Sequence, residues 1–254
     1  MRLNWYLLMG LSLVAASGLF YLVHFLIFRD PHHIFIYFLG DLAFLPIEVL
    51  LVSLIIHRLL SERERRAVMK KMNMVIGAFY SEVGTAMIKR LSAFDQSFGE
   101  IQKNMVFRRG TDQELAEARS FFDAYHDSID SREGDLVELK DFLAARREFL
   151  LRLLENPNLL EHETFTDLLW AVFHLDEELE YRSDLHSLTL PDLRHISHDM
   201  SRAYGLLIAD WIKYMKHLRD NYPYLFSLAL RINPFDPGAT PGLKSGQAGI
   251  PDNF

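Results

Sequence analysis

The first sixty residues consist of two long apolar runs separated by a short polar break. Residues 5–28 contain no Asp, Glu, Lys or Arg, and as a helix they would extend about 36 Å at roughly 1.5 Å per residue. The hydrocarbon core of a bilayer is about 30 Å thick, so this run is long enough to cross it. Residues 34–60 form a second run of similar length. The break at residues 29–33 is charged, contains a proline and is only long enough for a hairpin turn.

This pattern predicts a transmembrane hairpin over residues 1–60, with spans at about 5–28 and 34–57. A cleaved signal peptide is an alternative, because Ala15-Ala16-Ser17 resembles a processing site. Apolar residues continue beyond that point, which is more typical of a span. Two buried helices of a soluble protein would require much more chain to cover them.

Basic residues are concentrated directly after the second run, whereas the hairpin turn contains only Arg29. Lys and Arg near membrane ends are retained on the cytoplasmic side. We therefore predict a multi-pass protein of the cell (inner) membrane with both termini in the cytoplasm. Near anionic lipid each basic residue contributes about 1 kcal/mol to surface binding. The predicted contacts with lipid headgroups are Arg58, Arg63, Arg65, Arg66, Lys70 and Lys71.

Two carboxylates lie within the second predicted span. Asp41 and Glu48 are seven residues apart and therefore lie on one helix face. A carboxylate in hydrocarbon is costly and usually faces a partner or a water-filled space. Folding the two spans about Pro31 brings His24 level with Asp41, and Ser17 level with Glu48. These four side chains form the predicted polar seam of the hairpin.

Two hypotheses for the polar seam remain open. In the first, the side chains bind each other across the hairpin, at about 1 kcal/mol for each hydrogen bond. In the second, several hairpins assemble, and rings of Asp41 and Glu48 line an ion or proton path. The turn between the spans is too short for a re-entrant selectivity loop.

Beyond the second span, apolar positions recur every three to five residues with charges between them, which predicts amphipathic helices. The first of these, over residues 68–88, continues the second span as a stalk. Thr111 and Glu114 form a capping box at the start of the second helix. Residues 136–153 form a third helix, and Thr164 caps a fourth.

A fifth helix is predicted between Pro191, in its first turn, and Pro223, at its end. Its apolar stripe packs against another helix, and domain core is a commoner role for such a stripe than a ligand site or a dimer seam. The predicted fold is all-α: a transmembrane hairpin followed by a cytoplasmic antiparallel helical bundle over residues 61–232. Residues 233–254, rich in Pro and Gly, are predicted to be a disordered tail. The stripe comprises Met200, Tyr204, Leu207, Trp211, Tyr214 and Leu218.

Charge and composition narrow the classes of function. The formal net charge is −7, and it falls entirely after residue 60 because three basic and three acidic residues balance before it. An acidic domain argues against nucleic acid as the main partner. The sequence has no cysteine, which excludes disulfides, thiolate nucleophiles and thiolate metal ligands.

Metal-binding residue types occur together at the start of the fifth helix. Asp192, His195, His198 and Asp199 have spacings that place them along one helix face. Di-metal sites in bundles use such pairs but also require carboxylates from the facing helices, and the sequence does not show a full set. Neither a metal nor another cofactor is predicted. No Gly-rich phosphate loop, nucleophile elbow or His-Glu-x-x-His motif is present, so no enzymatic activity is predicted.

Three segments carry a resemblance to a known group of proteins: residues 38–60, 155–179 and 221–237. They read FLGDLAFLPIEVLLVSLIIHRLL, ENPNLLEHETFTDLLWAVFHLDEEL and NYPYLFSLALRINPFDP. They resemble an uncharacterised family of prokaryotic two-span membrane proteins with a helical cytoplasmic domain. The resemblance implies a membrane location and no particular activity.

The expected function is that of a membrane-anchored interaction or regulatory module, whose partners are the bilayer, a cytoplasmic protein or further copies of the chain. Two alternatives remain. One is an oligomeric ion or proton channel lined by Asp41 and Glu48. The other is a metal-dependent helical enzyme.

Overall fold

The computed structural model describes residues 3–157, 159 and 162–242, and these residues are helical without a β-strand. One isolated antiparallel bridge pairs Asp95 with Ile129. The all-helical prediction is confirmed. The chain divides into two compact units, Met1–Arg65 and Arg66–Phe254, so the division falls slightly beyond residue 60.

The first unit contains helix α1 (Leu3–Phe28) and the beginning of α2 (Pro31–Phe79). Only Arg29 and Asp30 separate them, with Arg29 in the left-handed region at φ 48°. Proline suits the start of α2 because the first N–H groups of a helix have no intrahelical acceptor. The Asp30 carboxylate accepts the main-chain N–H groups of His32 and His33 at 3.0 and 3.2 Å. The connection between the two helices is therefore shorter than the predicted break at residues 29–33.

Two helical stretches are long and apolar enough to cross a membrane: Leu7–Phe28 and Pro31–Phe94. No residue in the most apolar window of either stretch is buried. Pro46 lies inside α2 without ending it.

In the second unit α2 ends at Phe79, and a π-helical turn (Tyr80–Gly84) leads into α3 (Thr85–Leu91) and a 3-10 turn (Ser92–Phe94). The remaining helices are α4 (Phe98–Met105), α5 (Asp112–Ala124), α6 (Leu136–Ala144), α7 (Arg147–Leu154), α8 (Glu163–Glu180), α9 (Leu190–Asn221) and α10 (Pro223–Arg231).

Helix α9 lies at the centre of the second unit. Helices α3, α5, α8 and α10 pack against it, and α6 and α7 pack against α8. The predicted apolar stripe is buried except at Tyr214, which is partly buried. The interpretation of this stripe as domain core is confirmed. The Thr111 capping box is also present, as is Pro191 in the first turn of α9.

Two details of the predicted helices are wrong. The third predicted helix is divided into α6 and α7, because the chain leaves the helix at Arg146 (φ −109°, ψ −3°). Helix α8 is capped by His162, whose ring nitrogen accepts the N–H of Phe165 at 3.3 Å, instead of by Thr164.

The predicted disordered tail begins too early. Asn233 is buried and donates a hydrogen bond to the main-chain oxygen of Met105 at 2.7 Å. Phe235 is fully buried, with its ring centroid 5.3 Å from that of Trp211. These contacts anchor the segment that follows α10 to the core. The tail prediction for residues 243–254 lies outside the described residues.

Candidate functional site

A cleft of about 560 Å³ in the first unit brings together three of the four predicted seam residues. Ser17 and His24 of α1 line it together with Asp41 of α2. Glu48 is not among the lining residues and is exposed. The remaining lining residues are Phe20, Tyr21, Ile34 and Tyr37.

His24 provides an unsatisfied polar atom in this cleft. Its ring packs on Phe28, with centroids 4.7 Å apart, and is stacked at 6.5 Å from His33. Its Nδ1 atom is buried and has no hydrogen-bond partner. An unpaired nitrogen beside a carboxylate residue is available to a water molecule, an ion or another chain.

The predicted headgroup contacts lie along α2. Arg58, Arg63, Arg65, Lys70 and Lys71 are exposed, as an interaction with lipid headgroups requires. The side chain of Arg66 lies outside the described part of the structure.

The second unit contains a larger cleft, which sequence patterns did not indicate. Its volume is about 790 Å³, within the typical range of small-molecule sites. Its walls come from the end of α2, the π-helical turn, α3, the end of α9, α10 and the segment after it. Most of its lining is apolar and includes Trp211, Leu218 and Leu225, whereas Lys89 and Asp236 contribute charged groups.

The π-helical turn forms part of the wall of this second-unit cleft through Tyr80 and Ser81. Such turns are rare and often occur at functional sites. Gly84 permits the turn, because a Cβ atom there would lie 2.6 Å from Cδ1 of Tyr80 and 2.8 Å from Cε1 of Phe79. The ring of Tyr80 is also stacked on Tyr214, with centroids 4.9 Å apart.

His217 is the most distinctive polar group of the second-unit cleft. Its Nδ1 lies 3.2 Å from the side-chain amide nitrogens of both Asn73 and Asn221, so Nδ1 is the acceptor. The neutral ring then carries its proton on Nε2, which is buried without a partner. Burial lowers the pKa of His217, while nearby Asp220 acts in the opposite direction. The cleft therefore contains a neutral histidine with one unsatisfied donor.

A third group of functional side chains, the histidine–carboxylate cluster, consists of His174 and Glu178 of α8 and His195 and Asp199 of α9. Nε2 of His195 lies 3.4 Å from Oδ2 of Asp199 and 3.5 Å from Oε2 of Glu178. Nε2 of His174 lies 3.6 Å from the same Asp199 oxygen and 3.9 Å from Oε1 of Glu178. Each helix contributes one histidine and one carboxylate four residues later.

The cluster contains two of the four metal candidates indicated by the sequence. His195 and Asp199 belong to it. Asp192 instead lies in the first turn of α9, where Thr189 caps the helix and accepts the N–H of Asp192. Its carboxylate pairs with Arg182 at 3.6 Å, and His198 is exposed. The metal candidates indicated by the sequence did not include His174 or Glu178. The signal that could have found them is the i, i+4 spacing of histidine and carboxylate, which occurs once on each helix.

Arg182 and burial set the electrostatics of the cluster. A hydrogen bond from Arg182 lowers the pKa of Glu178, and the charges of Arg182, His195 and His174 act in the same direction. Asp199 has a side chain only 8% exposed, and its Oδ2 has no hydrogen-bond partner.

Comparison with known proteins gives the family. Residues 1–60 match the family described as "MJ1433, N-terminal helical domain", and residues 68–231 match "Uncharacterized protein MJ1433, C-terminal helical domain". The chain belongs to the MJ1433 family. The uncharacterised protein MJ1433 of Methanocaldococcus jannaschii is 47% identical over 231 residues, which cover 91% of this chain and 93% of that protein. No solved structure matches the chain.

Membership of the MJ1433 family confirms the predicted resemblance to an uncharacterised helical family without an assigned activity. The family's two domains correspond to the apolar N-terminal helices and to the helical domain around α9. The family descriptions name helical domains only.

Proposed function

We propose that this MJ1433-family protein is a membrane-anchored helical binding module, with residues 5–28 and 34–57 as its anchor. The observation that carries this proposal is the exposure of apolar side chains along α1. Leu8, Val14 and Phe20 are 71, 72 and 74% exposed, and similar values recur through the first unit. Soluble proteins rarely present a continuous apolar surface of this extent to water.

The hydrocarbon core of a bilayer would remove these apolar side chains from water. Each Leu, Ile, Phe or Val near the centre of a span favours insertion by about 0.3 to 0.6 kcal/mol. Summed over one apolar span, this insertion free energy exceeds the free-energy cost of placing Asp41 and Glu48 in the membrane when these carboxylates face the hairpin interior or water. The exposed basic residues after the second span support an orientation with both termini in the cytoplasm.

Membrane anchoring is tested on the full-length protein expressed in cells. After an alkaline carbonate wash and ultracentrifugation, the protein is expected in the membrane pellet. Reporters that are active only in the cytoplasm, fused to either terminus, are expected to be active. Protein in the supernatant would contradict the anchor, and an inactive reporter at either terminus of membrane-inserted protein would contradict the orientation.

The second-unit cleft supports the binding part of the proposal. Its volume, its apolar lining and the unsatisfied Nε2 of His217 suit an apolar segment that carries one hydrogen-bond acceptor. Ala78 lies at this cleft and is exposed. A photo-crosslinking residue placed at position 78 in the native host is therefore expected to give an adduct of discrete mass.

Ala116 on α5 is the matched control for this experiment, because it is exposed and does not line the cleft. An adduct at position 78 with twice the chain mass identifies a second copy of the chain, and any other discrete mass identifies another partner. Identical adducts at positions 78 and 116, or none at 78, would contradict a role for the cleft.

A second candidate function is an oligomeric ion or proton path, supported by the unpaired Nδ1 of His24 in the same cleft as Asp41. Two helices cannot enclose a pore, so this function requires an assembly, which the detergent-corrected mass detects. In reconstituted vesicles Asp41→Asn is expected to reduce ion flux more than Glu48→Gln, because only Asp41 lines the cleft. Equal fluxes in the parent protein and both variants would exclude this path.

A further inference from the structure

We propose that His174, Glu178, His195 and Asp199 bind one divalent transition-metal ion that links α8 to α9. This inference goes beyond the binding-module proposal and does not depend on it. The four side chains come from two helices that pack directly against each other. Imidazole nitrogen and carboxylate oxygen together form a common ligand set for zinc and related first-row metals.

The separations between the buried Asp199 oxygen and the two histidine nitrogens match those of a tetrahedral site. Zinc–nitrogen and zinc–oxygen bonds of about 2.0 to 2.2 Å place neighbouring ligand atoms roughly 3.3 to 3.6 Å apart in a tetrahedron. Oδ2 of Asp199 lies 3.4 Å from Nε2 of His195 and 3.6 Å from Nε2 of His174. Oε1 of Glu178, the oxygen that Arg182 does not bind, lies 3.9 Å from Nε2 of His174. One ligand atom from each of His174, Glu178 and His195 lies within 4.8 Å of the others.

Asp199 distinguishes this cluster from a surface network of ion pairs. Its side chain is more than nine-tenths buried, and its Oδ2 has no hydrogen-bond partner although it faces both histidine nitrogens. A buried carboxylate oxygen without a donor is costly. A metal ion between Asp199 and the imidazoles satisfies that oxygen and accepts both nitrogen lone pairs.

Arg182 leaves one oxygen of Glu178 for the metal. It donates to Oε2 of Glu178 at 2.5 Å, while Oε1 faces His174. Oriented carboxylates of this kind are common around metal sites, where outer hydrogen bonds fix the ligand. Both histidine side chains are about half exposed, at 47 and 51%, so an ion can enter from solvent.

The proposal is tested on the full-length protein purified in detergent with a histidine-free affinity tag and stripped with a chelator. Calorimetric titration with Zn²⁺ is expected to show one tight site per chain. Titration with Co²⁺ is expected to give the intense visible absorption of a tetrahedral site. His174→Ala and His195→Ala should each weaken Zn²⁺ binding by at least about tenfold, since even replacing a residue that only hydrogen-bonds a metal ligand costs about 10-fold to 100-fold in affinity.

His198→Ala is the matched control, because His198 is exposed on α9, one turn from His195, and lies outside the cluster. It should retain the parent affinity within about twofold. Asp199→Asn tests the buried ligand, and thermal unfolding of each metal-free variant shows whether it folds. Zn²⁺ binding by the double variant His174→Ala/His195→Ala that equals that of the parent would overturn the proposal. An equal loss in His198→Ala, or no binding by the parent, would also overturn it.

Discussion

Tyr80 and Asp210 face each other in the interior of the second unit, with the tyrosine hydroxyl 3.3 Å from Oδ2 of the carboxylate. The same hydroxyl donates to the main-chain oxygen of Leu207 at 2.9 Å. Both side chains are almost fully buried. Tyr80 begins the π-helical turn, so this contact ties the turn to the central helix α9.

Replacing Tyr80 with phenylalanine tests the contribution of that hydroxyl group. The ring remains in place, but the two buried acceptors lose the single O–H group that they share, which should lower the free energy of unfolding by about 1 to 3 kcal/mol. Chemical denaturation of the full-length protein measures this loss. Tyr181→Phe is the control, because Tyr181 is 86% exposed. Similar stability in both variants would contradict the assigned hydrogen bonds.

Asp210 should make stability depend on pH. Burial raises the pKa of Asp210 in the folded protein, although Lys213, His162 and the Tyr80 hydroxyl act in the opposite direction. As pH rises above the unfolded value of about 3.9, the unfolded chain loses this proton first. Stability therefore falls until the pH exceeds the raised folded pKa. Thermal melts from pH 4 to 7 should show this fall in the parent relative to Asp210→Asn. A constant difference between parent and variant across that range would refute the assignment.

Replacing Gly84 and Gly205 with alanine should change the stability of the protein in opposite directions. A Cβ at Gly84 would meet Tyr80 and Phe79 at less than 3.0 Å, whereas nothing lies within 4 Å of one at Gly205. Overpacking should make Gly84→Ala less stable by about 1 to 3 kcal/mol. In the interior of α9, Gly205→Ala should be more stable by roughly 0.5 to 1 kcal/mol. Equal shifts in unfolding temperature would contradict the close approach at the π-helical turn.

Arg147 pairs with Asp176, whose side chain is only 2% exposed. Arg147→Met would leave a buried carboxylate without its cation and should lower the free energy of unfolding by about 3 kcal/mol. Arg152→Met is the control, because Arg152 is 66% exposed and pairs with the exposed Glu148; its effect should stay below about 1 kcal/mol. A comparable loss in both variants would contradict the burial of Asp176.

Helix positions and the buried stripe of α9 could be predicted because each depends on residues close together in sequence. Thr111 and Glu114 are three residues apart and satisfy N–H groups of their own helix. The burial of the stripe from Met200 to Leu218 is predictable because an apolar face at helical spacing is buried against a neighbouring element, whichever element that is.

The prediction of a disordered tail is wrong at Asn233 and Phe235 for the opposite reason. Phe235 is buried against Trp211, and Asn233 binds Met105, contacts between residues far apart in the chain. A proline- and glycine-rich composition indicates only that the isolated segment has little tendency to form ordered structure. It does not show that a neighbouring core offers a place for one phenylalanine ring.

The sequence by itself determined the helical class and the two apolar N-terminal helices, because composition and periodicity along one chain are sufficient for these. Similarity to known sequences identified the family. Only the tertiary structure decided that His174 and Glu178 of α8 meet His195 and Asp199 of α9. It also decided which cleft contains His217 and which seam residues share a cavity. Spacing places side chains on one helix face, whereas the contact between two faces depends on how helices distant in sequence pack together.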